Sequence, residues 1–453
     1  MTSAVCPCRR RVEDRSAGLA GQFPWRILVP SAWLLASVVG LLAPPALAQA
    51  NSAASPAAAT SACRVTASWV DVTTGNSIQG KELLRDVVGK NAVILLGESH
   101  TDADHHRWQV HTLAGLLGRT DKMVIGFEAF PRRLQGVLDD WVAGKLTADA
   151  FLKASEWRQV WGYDAALYLP LFQFARLNRI PMIALNVERT LVSRVGRDGW
   201  ASVPEQEREG VSKPASASAS YQRELAGVYQ TKKVMAAAGP AGAIEAANTS
   251  PGALEKELDE QTFADVRQQP EFQRFVDAQL TWDRAMAEAL AAGQRRFAGA
   301  TIVGIVGSGH VAGGDGIPHQ LKDLGVAEVA SLIPVSTDVA CKLVGTAYAD
   351  AVFTLPPATD GTPERPRLGV LLTDGDGGAR NNQVVPNSVA EAAGLKAGDH
   401  VVRAAGLQMR NSGDLVEIVA VQAPGTWLPL SIRRDGQEID VIAKFPPRPR
   451  QDP

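Results

Sequence analysis

Residues 93–100 read Val-Ile-Leu-Leu-Gly-Glu-Ser-His, an apolar run that ends in a carboxylate and an imidazole. Val93–Leu96 is long enough for one buried strand, and Gly97 ends the run. A strand with apolar residues on both faces is typical of a parallel α/β sheet. In such sheets, ligands bind just beyond the carboxyl ends of the strands. The stretch therefore predicts that Glu98 and His100 lie where an α/β protein binds its ligand.

The same plan returns two hundred residues later in the chain. Ile302–His310 reads Ile-Val-Gly-Ile-Val-Gly-Ser-Gly-His, again an apolar run followed by glycines and a histidine. Both strand ends carry the motif Gly-x-x-His, at Gly97–His100 and at Gly307–His310. One such motif is a weak signal. Two, each closing a predicted strand, indicate a shared site.

Strand and helix patterns alternate through most of the chain. Further strands are predicted at Met123–Phe127, Pro181–Leu185 and Val326–Val335, and helices at Lys81–Val88, Asp102–Leu117, Leu167–Asn178 and Phe272–Ala292. This alternation predicts an α/β fold, a parallel sheet with helices on both faces. Residues 200–264 break the rhythm with the low-complexity Ala215–Ser220 and the Ala/Gly/Pro-rich Ala236–Gly252. There we expect a mobile, partly helical insertion that forms a smaller helical subdomain.

The chain of 453 residues is too long for one ordinary domain. Its 45% hydrophobic content is typical of a globular protein, and a net charge of −2 without a basic patch argues against nucleic acid as a partner. The expected organisation is a signal peptide at 1–48, a flexible leader at 49–66, an α/β domain at 67–355, a linker at 356–366, a small domain at 367–446 and a tail at 447–453.

The first 48 residues have the pattern of an export signal. Arginines precede the apolar run Ile27–Leu42, and Ala46-Leu47-Ala48 fits a signal-peptidase site. This predicts a periplasmic or secreted protein, with a signal anchor as the alternative. Peripheral membrane association and a homodimer stay open. Only Cys63 and Cys341 follow the signal, and because an exported compartment is oxidising we expect one disulfide between them. Two separate thiols are the alternative.

Histidines and carboxylates gather at the predicted strand ends. Of seven histidines, four lie between His100 and His111, and Glu128 ends the second strand. We therefore expect His100, Glu128 and His310 to share one pocket. Two imidazoles and a carboxylate suit a divalent metal such as zinc or manganese, and an imidazole beside a carboxylate suits acid–base catalysis. An axial ligand to haem iron is the third option.

The motifs resemble those of a known family. Gly97-Glu98-Ser99-His100 with Asp104-His105-His106 is similar to the G-E-x-H…D-H-H opening of the ChaN-like haem-binding uptake family. Phe127-Glu128 with Pro131-Arg132 and Gln135 resembles its F-E-x-x-P-R-x-x-Q segment, and Gly309-His310-Val311 resembles its closing motif. The resemblance covers roughly Trp69–Val335. The family belongs to a wider group with Tiki-type metallopeptidases and erythromycin esterase-like hydrolases.

The resemblance implies haem binding and a part in haem or iron uptake or handling. Its expected haem contacts are His100, His105, Glu128, His310 and Tyr168, with Tyr163 and Tyr229 as further candidates for the iron ligand. The wider group implies an alternative, a metal-dependent hydrolase or peptidase. Its catalytic residues would be Glu98, His100, Glu128 and His310, with a metal ion on the last three.

The last part of the chain resembles a bacterial PDZ domain. Ser388–Gly406 reads Ser-Val-Ala-Glu-Ala-Ala-Gly-Leu-Lys-Ala-Gly-Asp-His-Val-Val-Arg-Ala-Ala-Gly. The resemblance implies a small β-sandwich or barrel with two helices. It also implies that the loop at Leu368, Gly369 and Val370 receives the carboxylate of a peptide or protein C-terminus, which adds as a strand. A packing module that binds nothing is the alternative.

Overall fold

The computed structural model describes residues 62–90, 93–237, 258–357, 366–375 and 377–447. The predicted signal peptide lies outside the described residues, as do most of the predicted leader, linker and tail and most of Ala236–Gly252. Within the described ranges, no helix combines the length and the hydropathy needed to cross a membrane.

A mostly parallel sheet forms the centre of the first domain. Its strands within the described residues are β1 Trp69–Val70, β2 Ser77–Ile78, β3 Val93–Glu98, β4 Met123–Pro131, β5 Met182–Asn186, β6 Thr301–Gly307, β7 Val329–Ser336 and β8 Ala351–Leu355. They lie in the order β2-β1-β8-β7-β3-β6-β4-β5. All neighbours from β8 to β5 are parallel, and the two-residue strands β1 and β2 are antiparallel. The α/β prediction is confirmed.

Helices cover both faces of the sheet. They are α1 Gly80–Gly89, α2 Ala103–Leu117, α3 Gln135–Val142, α4 Ala148–Ala154, α5 Trp157–Val160, α6 Ala165–Leu177, α7 Arg189–Asp198, α8 Ala219–Ala237, α9 Glu260–Arg267, α10 Pro270–Arg296, α11 Ile317–Asp323 and α12 Thr337–Leu343. Alternate residues of β3 enter different cores: Ile94 and Leu96 one, Val93 and Leu95 the other. This explains why the strand reads as a continuous apolar run.

The register of β3 and β6 brings the two Gly-x-x-His motifs side by side. Gly97 pairs with Val306 and Glu98 with Gly307, in parallel. Strand β4 flanks β6 on its other side, with Phe127 opposite Ile305. The carboxyl ends of these three strands therefore meet at one edge of the sheet.

The insertion is more ordered than its composition suggests. Ala215 donates its N–H to Gln320 Oε1 over 2.9 Å, and Gln320 Nε2 donates to the Ala215 carbonyl over 3.0 Å. Further on, the Ser218 hydroxyl donates to Asp315 over 2.6 Å. Instead of the expected mobile stretch at Ala215–Ser220, the structure shows a segment tied to α11 and to the loop before it. Helices α8, α9 and α10 share an apolar cluster, so the helical subdomain is present.

Cys63 and Cys341 form a disulfide, with their Cα atoms 5.1 Å apart. This confirms the predicted pairing. The bond ties the residues before β1 to helix α12, which lies 278 positions later in the chain.

The second domain is a small antiparallel β structure. It contains β9 Val370–Gly375, β10 Gly378–Val384, β11 His400–Ala404, β12 Leu407–Gln408, β13 Trp427–Arg434 and β14 Gln437–Lys444, with helices α13 Val389–Ala392 and α14 Ser412–Ala420. The strand order is β14-β13-β11-β10-β9, with β12 on β11. Its core includes Leu368, Val401 and Leu430. The predicted small β domain with two helices is confirmed.

Candidate functional site

The strand ends bring His100, Glu128 and His310 into one pocket. A Cβ added at Gly307 would lie 3.0 Å from His100 Cε1 and 3.5 Å from Glu128 Oε2. On the other side of the carboxylate, His310 Nε2 lies 3.6 Å from Glu128 Oε1. Glycine at position 307 is what leaves room for the His100 ring.

The first histidine is held by a buried carboxylate. His100 Nδ1 donates to Glu98 Oε1 over 2.8 Å, and the Tyr168 hydroxyl donates to the same oxygen over 2.6 Å. Nδ1 of His106 lies 3.2 Å from Glu98 Oε2. Burial alone would raise the pKa of Glu98, but the hydrogen bond from His100 and the charges of His106 and His100 lower it below its ordinary value.

The second histidine has the same kind of support from other elements. His310 Nδ1 donates to Asp283 Oδ1 over 2.6 Å, and the Tyr221 hydroxyl donates to Asp283 Oδ2 over 2.7 Å. Asp283 is completely buried. Burial opposes the charged imidazole, but the charges of Glu128 and Asp283 outweigh it and raise the pKa of His310 to about 9.

Each imidazole also meets the edge of an indole. His100 lies 4.8 Å from the Trp161 ring and His310 lies 5.0 Å from the Trp282 ring, measured between ring centroids. Tyr163 adds a second ring 5.0 Å from His100.

Burial lowers the pKa of His100, but the hydrogen bond to Glu98 and the charge of Glu128 raise it above its ordinary value overall.

Glu128 and His100 each keep one side-chain atom without a hydrogen bond within the described residues. Glu128 accepts the Gly307 N–H over 2.6 Å at Oε2, while its buried Oε1 has no hydrogen-bond partner. His100 makes its side-chain hydrogen bonds through Nδ1, which leaves Nε2 for a ligand. The side chain of His100 is 24% exposed.

The other expected haem contacts have different surroundings. Tyr168 is 1% exposed and donates its hydroxyl to Glu98. Burial and the charge of Glu98 raise the pKa of Tyr168 well above its ordinary value. His105 Nδ1 accepts the Ser99 N–H over 3.0 Å, so its ring ties down the loop after β3. Tyr163 is half-buried beside His100, whereas Tyr229 packs on Phe272 and Phe275 in the helical subdomain.

The predicted metal site at His100, Glu128 and His310 is not a preformed ligand set. In the part of the chain that the structure describes, no group of three or more His, Cys, Asp and Glu side chains is arranged to hold a metal ion. One oxygen of Glu128 is bonded to the Gly307 N–H, and the other faces His310 at 3.6 Å.

Sequence reasoning did not place four contributors in the site: Asp283, Tyr221, Trp161 and Trp282. Asp283 with Met286-Ala287 does resemble a helix of the ChaN-like family. One of the four left a signal. Asp283 stands on the apolar stripe of α10, three residues after Leu280 and four before Ala287, where a charged side chain must be buried. The other three are aromatic residues whose direction the sequence does not give.

The site lies within a segment that matches a known family. The family described as "Haem-binding uptake, Tiki superfamily, ChaN" matches residues 84–321, more than half of the 453 residues. The chain belongs to this family. The match includes both Gly-x-x-His motifs, Glu128 and Asp283. Residues 366–444 match the PDZ domain family, and the C-terminal domain is a PDZ domain.

Individual proteins similar to this ChaN-family chain cover separate parts of it. A structure titled "Cofacial heme binding to ChaN of Campylobacter jejuni" is 17% identical, covers 63% of this chain and 95% of its own, and gives a TM-score of 0.43. A "Probable periplasmic serine endoprotease DegP-like" from Marinomonas sp. (strain MWYL1) is 33% identical over 103 residues, 20% of this chain. The chain spans 22% of the length of that relative.

Proposed function

We propose that this ChaN-family chain binds haem through its α/β domain and takes part in haem or iron uptake. The observation that carries the proposal is the family match over residues 84–321, because it includes the whole pocket around His100, Glu128 and His310. Bound haem supplies a redox-active iron, and the protein supplies the ligand atom and the walls.

The residues of the pocket fit a porphyrin iron. A histidine that ligates a metal usually donates its other ring N–H to a carboxylate, and His100 does so to Glu98. Its Nε2 is then the atom available to the iron. Trp161 and Tyr163 stand beside the His100 ring, and the half-buried Tyr163 offers apolar surface to a flat ligand. Glu98, which accepts hydrogen bonds from both His100 and Tyr168, fixes the direction of the imidazole.

Titration of the purified full chain with haemin tests this proposal. We expect a saturable shift of the Soret band, and His100→Ala should weaken binding by more than about tenfold because the ligand atom is lost. His111→Ala is the matched control, since His111 is an exposed histidine of α2, the helix that begins three residues after His100. Absence of a saturable shift in the unaltered protein would contradict haem binding. Equal affinity in both variants would place the iron ligand elsewhere, with Tyr163→Phe as the next variant.

We further propose that the protein is exported and that its PDZ domain docks a peptide or protein C-terminus. The loop at Leu368–Val370 supports this: Leu368 is buried in the domain core and Gly369 has a φ of 81°, so the chain turns sharply before β9. The Leu368 and Gly369 carbonyls accept the N–H groups of Ala390 and Val385. On helix α14, Val416 is 57% exposed, so this helix presents an apolar side chain to solvent.

A pair of peptides tests the docking. A peptide with a free apolar C-terminus should bind the full chain, and the same peptide with an amidated end should bind far more weakly, because the loop recognises a carboxylate. Gly369→Ala should abolish the difference, since an added Cβ would lie 2.2 Å from the Ser388 side chain. Equal binding of the two peptides in fluorescence anisotropy would argue against carboxylate recognition.

A further inference from the structure

The insertion that interrupts the α/β pattern reaches the site. Residues 212–221, which we call the strap, run from the side of α10 across α11 and end at the start of α8. Ser212 donates its N–H to Glu288 over 2.9 Å, and Ala215 exchanges two hydrogen bonds with Gln320. The Ser218 hydroxyl donates to Asp315 and accepts the Tyr221 N–H over 3.0 Å. The last residue of the strap is therefore placed by contacts along its whole length.

We propose that Tyr221 is a positioning residue for the pocket: its hydroxyl fixes the carboxylate of Asp283, which in turn holds His310 with Nε2 toward Glu128. The inference deepens the proposed function, on which its haem readout rests. On this proposal, the insertion contributes a side chain that supports the site.

The contacts of Tyr221 indicate that its hydroxyl serves to bind Asp283. The ring is 1% exposed and packs in the apolar cluster with Leu225, Phe263 and Phe272. A phenylalanine would fill that place equally well, yet the hydroxyl reaches Asp283 Oδ2 at 2.7 Å. Asp283 is fully buried, so an oxygen without this donor would lack a partner.

The two hydrogen bonds to Asp283 lock its orientation. One oxygen receives the tyrosine hydroxyl and the other receives His310 Nδ1. Gly316 closes the remaining side, since a Cβ there would lie 2.5 Å from the His310 carbonyl oxygen and 3.2 Å from Asp283 Oδ1. With Nδ1 fixed in this way, the His310 ring can only present Nε2 to the pocket, where Glu128 lies 3.6 Å away.

The test compares Tyr221→Phe with Tyr229→Phe in the full chain. Both tyrosines lie on α8, but Tyr229 packs on Phe272 and Phe275, away from Asp283. The readout is the proton NMR signal of His310 Nδ1–H, assigned by its loss in His310→Gln. We expect Tyr221→Phe to shift this signal and speed its exchange with water, and Tyr229→Phe to leave it unchanged. In haemin titration, Tyr221→Phe should weaken binding by about threefold to tenfold, the worth of one hydrogen bond.

An unchanged signal and exchange rate in Tyr221→Phe would overturn the proposal, even if the variant melts at a lower temperature, since lost stability alone does not alter this proton. Should Tyr221→Phe fail to fold, Ser218→Ala loosens the same strap and must shift the signal in the same direction. If the unaltered protein binds no haemin, the proposed function fails, while the NMR comparison still decides the role of Tyr221.

Discussion

The pocket contains two histidine clusters built from the same chemical groups. In the first cluster, Tyr168 and His100 donate to Glu98, and in the second, Tyr221 and His310 donate to Asp283. In the first, the histidine and its carboxylate are local, because Glu98 and His100 are two positions apart at the end of β3, and only Tyr168 comes from a distant element, α6. The second joins the strap, α10 and the end of β6. The same arrangement thus arises once around a local histidine–carboxylate pair and once entirely from tertiary packing.

The largest expected effect comes from removing each central carboxylate. Glu98→Ala and Asp283→Ala should each lower the free energy of unfolding by about 3–5 kcal/mol, because buried polar partners lose their acceptor. Glu98 faces three polar side chains and Asp283 faces two, so Glu98→Ala should cost more. Urea unfolding measures both, with the exposed Asp121→Ala as the control. A larger loss in Asp283→Ala would show that the number of donors does not decide the difference.

The second cluster should also respond more strongly to alkaline pH. The pKa of His310 is raised from 6.5 to about 9, chiefly because the charges of Glu128 and Asp283 outweigh burial. A histidine whose pKa is raised by folding stabilises the protein fully at pH values below its pKa in the unfolded chain. This stabilisation is lost as the pH rises through its pKa in the folded protein. The loss corresponds to at most about 3 kcal/mol between about pH 6 and pH 10.

The measurement is urea unfolding of the unaltered protein and of His310→Gln at the two pH values. The variant should be less stable near pH 6, and the difference between the two proteins should shrink toward pH 10. His100→Gln serves as the comparison, since the pKa of His100 is also raised. A difference that grows with pH would mean that His310 is held neutral in the folded protein.

The sequence shows the first cluster far better than the second. Glu98, His100 and His310 could be predicted because each follows an apolar run and a glycine, and parallel strands end together. Asp283 and Tyr221 lie in helices, where spacing gives a face but no partner. Tyr168 is a candidate haem contact because it lies in the helical part, and the sequence could not show that its hydroxyl donates to Glu98. Side-chain direction depends on packing that the sequence does not display.

The fold shows the same division between local and tertiary information. The central strands were predicted within a few residues because their apolar runs are continuous. Strand β7 begins at Val329 rather than Val326, since the Val326 N–H closes α11 by bonding to Leu321. Strand β8 was not predicted: Ala351–Leu355 precedes a proline-rich stretch, and pairs with β7 and β1 only in the folded chain.

The smallest expected effect concerns the loop that carries His100. In the first cluster this loop is tied by a side chain, with His105 Nδ1 accepting the Ser99 N–H over 3.0 Å. The corresponding turn of the second cluster is closed by backbone, with the Val311 N–H donating to the Ser308 carbonyl over 3.0 Å. Only the first loop should therefore depend on a neutral imidazole.

His105→Ala should lower the free energy of unfolding by about 1 kcal/mol near neutral pH, because the half-exposed Ser99 N–H can turn to water instead. Burial lowers the pKa of His105 below its ordinary value of 6.5. Because the folded pKa of His105 is lowered, the contact stabilises the fold fully at pH values above the pKa of the unfolded chain. This stabilisation is lost as the pH falls, because a protonated Nδ1 cannot accept a hydrogen bond. The free energy of unfolding of His105→Ala, measured with urea, should thus approach that of the unaltered protein at about pH 5. The haemin affinity of the variant should stay within about threefold of that of the unaltered protein. A stability loss that grows in acid would show instead that His105 is charged and acts through Asp102, whose carboxylate lies 3.4 Å from Nε2.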